Sequence, residues 1–169
     1  MTTRRLVLVR HAKSETDGTA DSERPLAQRG VADAPAIGRW LAEHAVVPDR
    51  VVVSPARRAR QTWELAASEV GAAPEPVLDE RVYDNTVEDL LAVIRETPAG
   101  VEILVLVGHN PSMEQLAAAL DDGRGHAAGR HELARKYPTS GVAVFAVNGD
   151  WAAVGPGGGT LVSFTAPRG

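Results

Sequence analysis

Cysteine is absent from the chain, which removes a disulfide framework, a thiol nucleophile and a thiolate zinc site. Aromatic side chains are scarce: three Trp, two Tyr and two Phe make up 4% of the sequence. The core must then be built from Val, Leu, Ile and Ala, and a stacking platform for bases is hard to assemble from so few rings. A surplus of positive charge is missing too. The formal net charge is -4, with 18 Lys and Arg against 22 Asp and Glu, which argues against an electrostatic nucleic-acid binder. No apolar run approaches the ~20 residues that span a bilayer. The opening MTTRRLVLVR leads into a short apolar stretch with no small-residue cleavage site. The expectation is a cytoplasmic protein with neither nucleic acid nor membrane among its partners.

What is present is an average globular composition, 44% hydrophobic and 24% charged over 169 residues, the length of one domain spanning 1–169. Three short β-branched runs, Leu6 to Val9, Val51 to Val53 and Val101 to Val107, are continuous rather than alternating. Such runs read as strands covered on both faces, the pattern of a parallel sheet. Helical spacing separates them. Ala59, Thr62, Ala66 and Val70 share one face; Val87, Leu90, Leu91 and Ile94 follow Thr86 as N-cap with Asp89 three residues on. Met113, Leu116, Ala117 and Leu120 follow Asn110 and Pro111, read as N-cap and first turn, with Gly123 closing the helix. Segment 27–45 is also helical in spacing, but Pro35 leaves two starts open: Asp33 as N-cap, or an earlier start with a bend at the proline.

From Gly141 the pattern turns to β. Val142 to Val147, the turn Asn148-Gly149 and Trp151 to Val154 read as a hairpin, and Thr160 to Phe164 as a last strand. Residues 16–24 and 121–130 read as surface loops. The predicted class is α/β: a mostly parallel central sheet with helices on both faces and an antiparallel C-terminal addition.

In open parallel sheets, ligands bind beyond the carboxyl ends of the strands, where loops and helix N-termini converge. After the first run comes Arg10-His11-Ala12-Lys13-Ser14; after the second, Ser54-Pro55 and Arg57 to Thr62; after the third, Gly108-His109-Asn110-Pro111. A short strand at Pro76 to Leu78 would bring Asp79-Glu80-Arg81 to the same edge. Guanidinium forks match phosphate oxygens and stay charged, and a neutral imidazole can attack phosphorus without a base. Phosphoryl transfer needs mainly positioning and cationic clamping, which arginines and a second histidine supply. No metal and no cofactor is expected.

These residues resemble a family. Arg10-His11-Ala12 is similar to the Arg-His-Gly signature of the histidine phosphatase, or phosphoglycerate mutase-like, superfamily. Ser54-Pro55 with Arg58-Ala59 and Gln61-Thr62 resembles its second block, and Gly108-His109 its third. The small size, Arg24-Pro25-Leu26 followed by Arg29-Gly30, and Lys136 to Ser140 look most like the compact SixA-type phosphohistidine phosphatases. The resemblance implies that His11 is a nucleophile forming a phosphohistidine intermediate. Arg10 and Arg58 would bind phosphoryl oxygens, and His109 would complete the pocket. Glu80 stands where larger relatives carry a general acid. Arg24 would add a phosphate contact, and Ser14 and Asn110, in the same loops, are further candidate substrate-binding residues. Ala12 departs from the signature: if the usual glycine supplies a positive φ, alanine is strained; otherwise it adds only a methyl.

Other chemistry-bearing residues have plainer readings. Arg57 and Arg60 fit a solvated helix face, and His44 the C-terminal dipole of its helix. His126 and His131 have poor metal spacing, and Gly155 to Thr160 reads as a turn. The function expected is a metal-independent phosphatase acting on a phosphorylated substrate, a phosphohistidine-bearing protein foremost. A small-molecule phosphomonoesterase or mutase with the same residues, and a non-catalytic phosphate-binding module, are the alternatives.

Overall fold

The continuous apolar runs become buried strands, and their register places the loops that follow them. The computed structural model describes residues 3–16 and 19–169. Its strands are β1 (Thr3–Arg10), β2 (Arg50–Val53), β3 (Val77–Leu78), β4 (Ile103–Gly108), β5 (Val142–Asn148) and β6 (Thr160–Thr165). Its helices are α1 (Gln28–Glu43), α2 (Arg57–Ala67), α3 (Val87–Arg95), α4 (Ser112–Leu120) and α5 (Ala127–Arg135). The sheet order is β3-β2-β4-β1-β5-β6. The first four are parallel, β5 pairs antiparallel with β1, and β6 pairs antiparallel with β5.

Side-chain alternation divides the core. Val7, Val9, Val51, Val53, Val105 and Val107 pack with Ile37 and Leu41 of α1 and Ala59, Trp63 and Ala66 of α2. Leu6, Leu8, Val52, Leu104 and Leu106 face the other way, onto Leu90, Leu91 and Ile94 of α3 and Met113, Leu116 and Leu120 of α4. Helices therefore cover both faces, which is why the strands lack polar alternation.

Local signals decide several boundaries. Thr86 and Asp89 form the reciprocal capping box at the start of α3. In α1 the earlier start is correct: the helix begins at Gln28 and runs through Pro35. The carbonyl that the proline cannot serve belongs to Val31, which is exposed to water. Asp33 is no cap. It is buried and accepts from Arg29 Nε and the Gly169 amide, both at 3.0 Å, so it fastens the C-terminal segment to α1.

Three sequence expectations are corrected. Trp151–Ala153 is a 3-10 turn rather than a strand, and β5 pairs with β6 instead; the indole of Trp151 is buried in the core and donates to Val101 O, so core packing overrides the Asn148-Gly149 hairpin signal. Segment 121–130 is not all loop, because α5 begins at Ala127 with the His126 ring as its cap, accepting from the Gly129 amide. Helix α4 ends at Leu120 with Asp121 as its C-cap, so Gly123 lies in the turn beyond. At its start Asn110 is one residue before the cap position, which Pro111 holds, though Asn110 Oδ1 still accepts from the Glu114 amide. Of the loop expected over 16–24, positions 17 and 18 lie outside the described residues, and Asp21–Glu23 forms a single 3-10 turn.

Helix α1 packs closely beneath the loop that follows β1. A Cβ on Gly30 would stand 2.1 Å from the Lys13 carbonyl oxygen, and one on Gly38 would stand 2.0 Å from that of Ala66 in α2. Substituting Gly30→Ala is therefore expected to force the helix off the loop at a cost of roughly 1–3 kcal/mol, lowering Tm by about 5 °C; a melting curve equal to wild type would show that the contact is soft.

Candidate active site

Three parallel strands end level. Arg10 pairs with Gly108, the His11 amide donates to Gly108 O at 3.0 Å, and the Ser54 amide donates to Val107 O at 3.0 Å. Residues far apart in the chain thus leave the sheet side by side, and the His11 and His109 rings lie 5.1 Å apart. Around them is a cavity of about 230 Å³ lined by Arg10, His11, Ser14, Arg24, Arg58, His109 and Asn110, together with Lys13, Thr16 and Thr139. Glu80 does not line it. That residue is exposed on a 3-10 turn after β3. A larger groove of about 520 Å³ runs between α2 and the β3 edge, past Trp63 and Leu78, and contains none of these groups.

Hydrogen bonding orients each ring. His11 Nδ1 lies 2.7 Å from its neighbour's carbonyl, Ala12 O. A carbonyl only accepts, so Nδ1 carries the proton and Nε2 holds a free lone pair. His109 Nε2 lies 2.7 Å from Ser54 Oγ, and its Nδ1 is buried without a partner among the described residues. Burial, aided by the neighbouring cations, pushes the His11 pKa down to about 3 and the His109 pKa down to about 4. Both rings are neutral at pH 7.

Arg10 and Arg58 are held by residues that do not line the cavity. Arg10 Nη1 donates to Tyr137 O at 2.9 Å, and Arg58 donates through Nη1 to Asp21 O at 2.6 Å and through Nη2 to Asp21 Oδ2 at 3.1 Å. The Nε of each is buried and unpartnered among the described residues. Arg24 spans the rim, donating to Ser14 Oγ at 3.1 Å, Glu15 O at 2.7 Å and the Asp21 carboxylate at 2.9 Å. Asn110 Nδ2 shares the Tyr137 carbonyl at 3.0 Å.

The loop carrying His11 is clamped by its surroundings. The Ala12 amide donates to Thr62 Oγ1, and the Ser140 amide to both Arg10 O and His11 O. Ala12 is not strained: among the described residues the non-glycine positions with positive φ are Ala45 and Ser140. Its methyl is buried against Leu26 and Ala34. Asp21 and Tyr83 were not singled out from the sequence. Tyr83 donates to Asp21 Oδ2 at 2.5 Å and stands edge-on to the His109 ring at 5.5 Å. The one available signal was Asp21 three residues before Arg24, because nothing local links Tyr83 to a loop some 60 positions earlier. Among the described residues no cluster of three or more His, Asp or Glu is arranged to hold a metal, and no helix is long and apolar enough to cross a membrane.

Two imidazoles and two guanidiniums at one strand-end rim present a set of groups that can pair with the oxygens of a tetrahedral oxyanion. The model of the histidine phosphatase superfamily (branch 1) matches residues 6–149, and the chain belongs to that superfamily as a phosphatase. An uncharacterized protein of Mycobacterium tuberculosis strain H37Rv is 41% identical over 162 residues, spanning 95% of this chain and 100% of that protein. The phosphohistidine phosphatase SixA of Escherichia coli K12 is 32% identical over 122 residues, 69% of this chain and 73% of SixA. A solved structure of the protein histidine phosphatase SixA with tungstate superimposes with a TM-score of 0.80 at 25% identity, covering 96% of this chain and 97% of that one.

The depressed histidine pKa values have a measurable sign. Burial disfavours the charged ring, so in an NMR titration the His11 and His109 ring protons are expected to keep their neutral shifts from pH 8 down to about pH 5. The unfolded chain takes up these protons near pH 6.5 while the folded chain waits until about 4 and 3. Stability should therefore decline as pH falls below about 6.5, and either ring titrating above pH 6 would contradict the buried geometry.

Proposed function

We propose that the chain removes a phosphoryl group through a covalent intermediate on His11, and that its substrate is phosphohistidine on the surface of a protein. The observation that carries this reading is a neutral His11 with its Nε2 lone pair free, beside three buried nitrogens that have no partner among the described residues: the Nε–H of Arg10 and of Arg58, and Nδ1 of His109. An unpaired buried donor is costly, and a phosphoryl group with three equatorial oxygens would satisfy all three. Tungstate in the SixA structure is likewise a tetrahedral oxyanion, which agrees with this reading.

In the first step His11 Nε2 attacks phosphorus while the bond to the leaving group breaks, and Arg10, Arg58 and His109 hold the equatorial oxygens. Ser54 Oγ–H donating to Nε2 of His109 leaves the proton on Nδ1, the tautomer that can bond an oxygen. In the second step water attacks phospho-His11, the P–N electron pair returns to Nε2, and phosphate leaves.

The leaving group decides the substrate. Expelling an alkoxide needs a proton donor, whereas imidazole leaves with a pKa of about 6.5. Among the described residues no acidic side chain lines the cavity, and Glu80 stands outside it. Transfer from one imidazole to another is close to thermoneutral and asks for no acid. A substrate imidazole protonated on its far nitrogen accepts the P–N electron pair and departs neutral.

Rapid-quench labelling with a phosphohistidine peptide should trap acid-labile phosphate on His11, and His11→Ala should lose at least about 10⁴-fold in kcat/KM; turnover retained in that variant would defeat the nucleophile. Glu80→Gln is expected to stay within about twofold of wild type on phosphohistidine, because general acid help is worth about 10² to 10⁴ only where the leaving group needs it. A loss of that size on phosphohistidine, or a kcat/KM higher on sugar phosphates than on the peptide, would favour a small-molecule esterase.

A further inference from the structure

Asp21 brings a carboxylate into contact with the phosphate-site arginines. Its Oδ1 accepts from Arg24 Nε at 3.2 Å and Nη2 at 2.9 Å; its Oδ2 accepts from Arg58 Nη2 at 3.1 Å and Tyr83 Oη at 2.5 Å. These donors come from three places: the end of the 3-10 turn that carries Asp21 itself, the start of α2, and the turn after β3. Arg58 is buried and lines the cavity, but the Asp21 side chain is 55% exposed, so the pair links the cavity lining to the solvent-exposed surface. With the Tyr83 and Arg24 bonds and the Arg58 contact, the carboxylate stays ionised.

The formal charges that line the phosphoryl pocket are positive: Arg10, Lys13, Arg24 and Arg58 all face it, and among the described residues no lining side chain is acidic. Such a cradle on its own would reward any extra anion on the substrate. The two histidines are buried, so whatever is attached to the phosphoryl group extends toward solvent, past the lining arginines Arg24 and Arg58 that the exposed Asp21 carboxylate joins. Arg58 gives one N–H of each Nη to Asp21, while its buried Nε has no partner among the described residues.

We propose that Asp21 is a specificity-determining residue, whose fixed negative charge at the mouth selects against leaving groups that carry a carboxylate and for those, such as imidazole, that are neutral or cationic. The proposal rests on the phosphohistidine reading for its natural substrate, but the charge selection itself does not. A phosphoimidazole protonated on its far nitrogen brings a positive charge to the carboxylate, takes the P–N electron pair when His11 attacks, and leaves uncharged. An anionic leaving group meets a like charge at the same point, which costs affinity in the bound and transition states alike.

The test compares kcat/KM for wild type, Asp21→Asn and Asp21→Glu on a phosphohistidine peptide, phenyl phosphate and phosphoglycolate, with melting curves to confirm that each variant is folded. Asp21→Asn is expected to lower the phenyl phosphate to phosphoglycolate ratio by about tenfold, and the peptide to phosphoglycolate ratio by at least as much, with Asp21→Glu close to wild type. If phosphoglycolate is not turned over, its Ki against phenyl phosphate should fall by the same factor in Asp21→Asn. Tyr83→Phe removes a hydrogen bond to Asp21 but no charge, and should leave the ratios unchanged. An equal loss on all three substrates would reduce Asp21 to a support for Arg58, and an unchanged ratio or Ki would overturn the proposal outright. Should wild type fail on the peptide alone, the phosphohistidine reading falls, while phenyl phosphate and phosphoglycolate still decide the role of Asp21.

Discussion

The parallel register of β1 against β4 is the constraint on which the rest of the molecule depends. Six consecutive pairs, from Arg5 with Ile103 to Arg10 with Gly108, bring two strands separated by some 90 residues to the same final rung. The next residue of each is a histidine. A slip of one position would turn the core faces inside out, because Leu6 and Leu8 belong to one hydrophobic cluster and Val7 and Val9 to the other. The burial that stabilises the sheet therefore also sets the 5.1 Å between the two rings. The positioning that the proposed mechanism requires is a consequence of core packing and needs no separate device.

Electrostatics at the rim follow from the same burial. Desolvation keeps both histidines neutral, one with its lone pair free and the other oriented by Ser54. It also makes each unpaired guanidinium N–H a strong donor, since no water competes for it. Arg10 and Arg58 are thus partly desolvated cations, held by the Tyr137 carbonyl on one side and by Asp21 on the other. Tyr137 is central to the first support: its buried hydroxyl bonds Leu8 O, and its carbonyl receives Arg10 and Asn110.

Much of the fold was legible in the sequence, because the signals that carry it are short-range. The apolar runs beginning at Leu6, Val51 and Val101 mark buried strands by their continuity, and Thr86 with Asp89 marks a helix start by chemistry confined to four residues. The failures share one cause. At Trp151, Gly123 and Ala127, local turn preferences were outweighed by packing against elements distant in the chain: the core for the indole of Trp151, and Leu161 O for the His126 amide just before α5. Pro35 stands in α1 with Val31, whose carbonyl it cannot serve, at the exposed surface, and no local rule reveals which residue of a helix will face solvent.

By itself the sequence determined the alternation of strand and helix, the two-sided core, and which strand ends would bring His11, Arg58 and His109 to the site, since each lies within five residues of the end of an apolar run. Only the tertiary structure decided which nitrogen of His11 is free, that Ala12 is unstrained, that Glu80 faces solvent, and that Asp21 and Tyr83 join the rim. Those outcomes turn on contacts across the sheet and between loops separated by 30 to 60 positions. Hydrogen-bond geometry over such separations leaves no periodicity or spacing behind; it exists only once the chain has closed on itself.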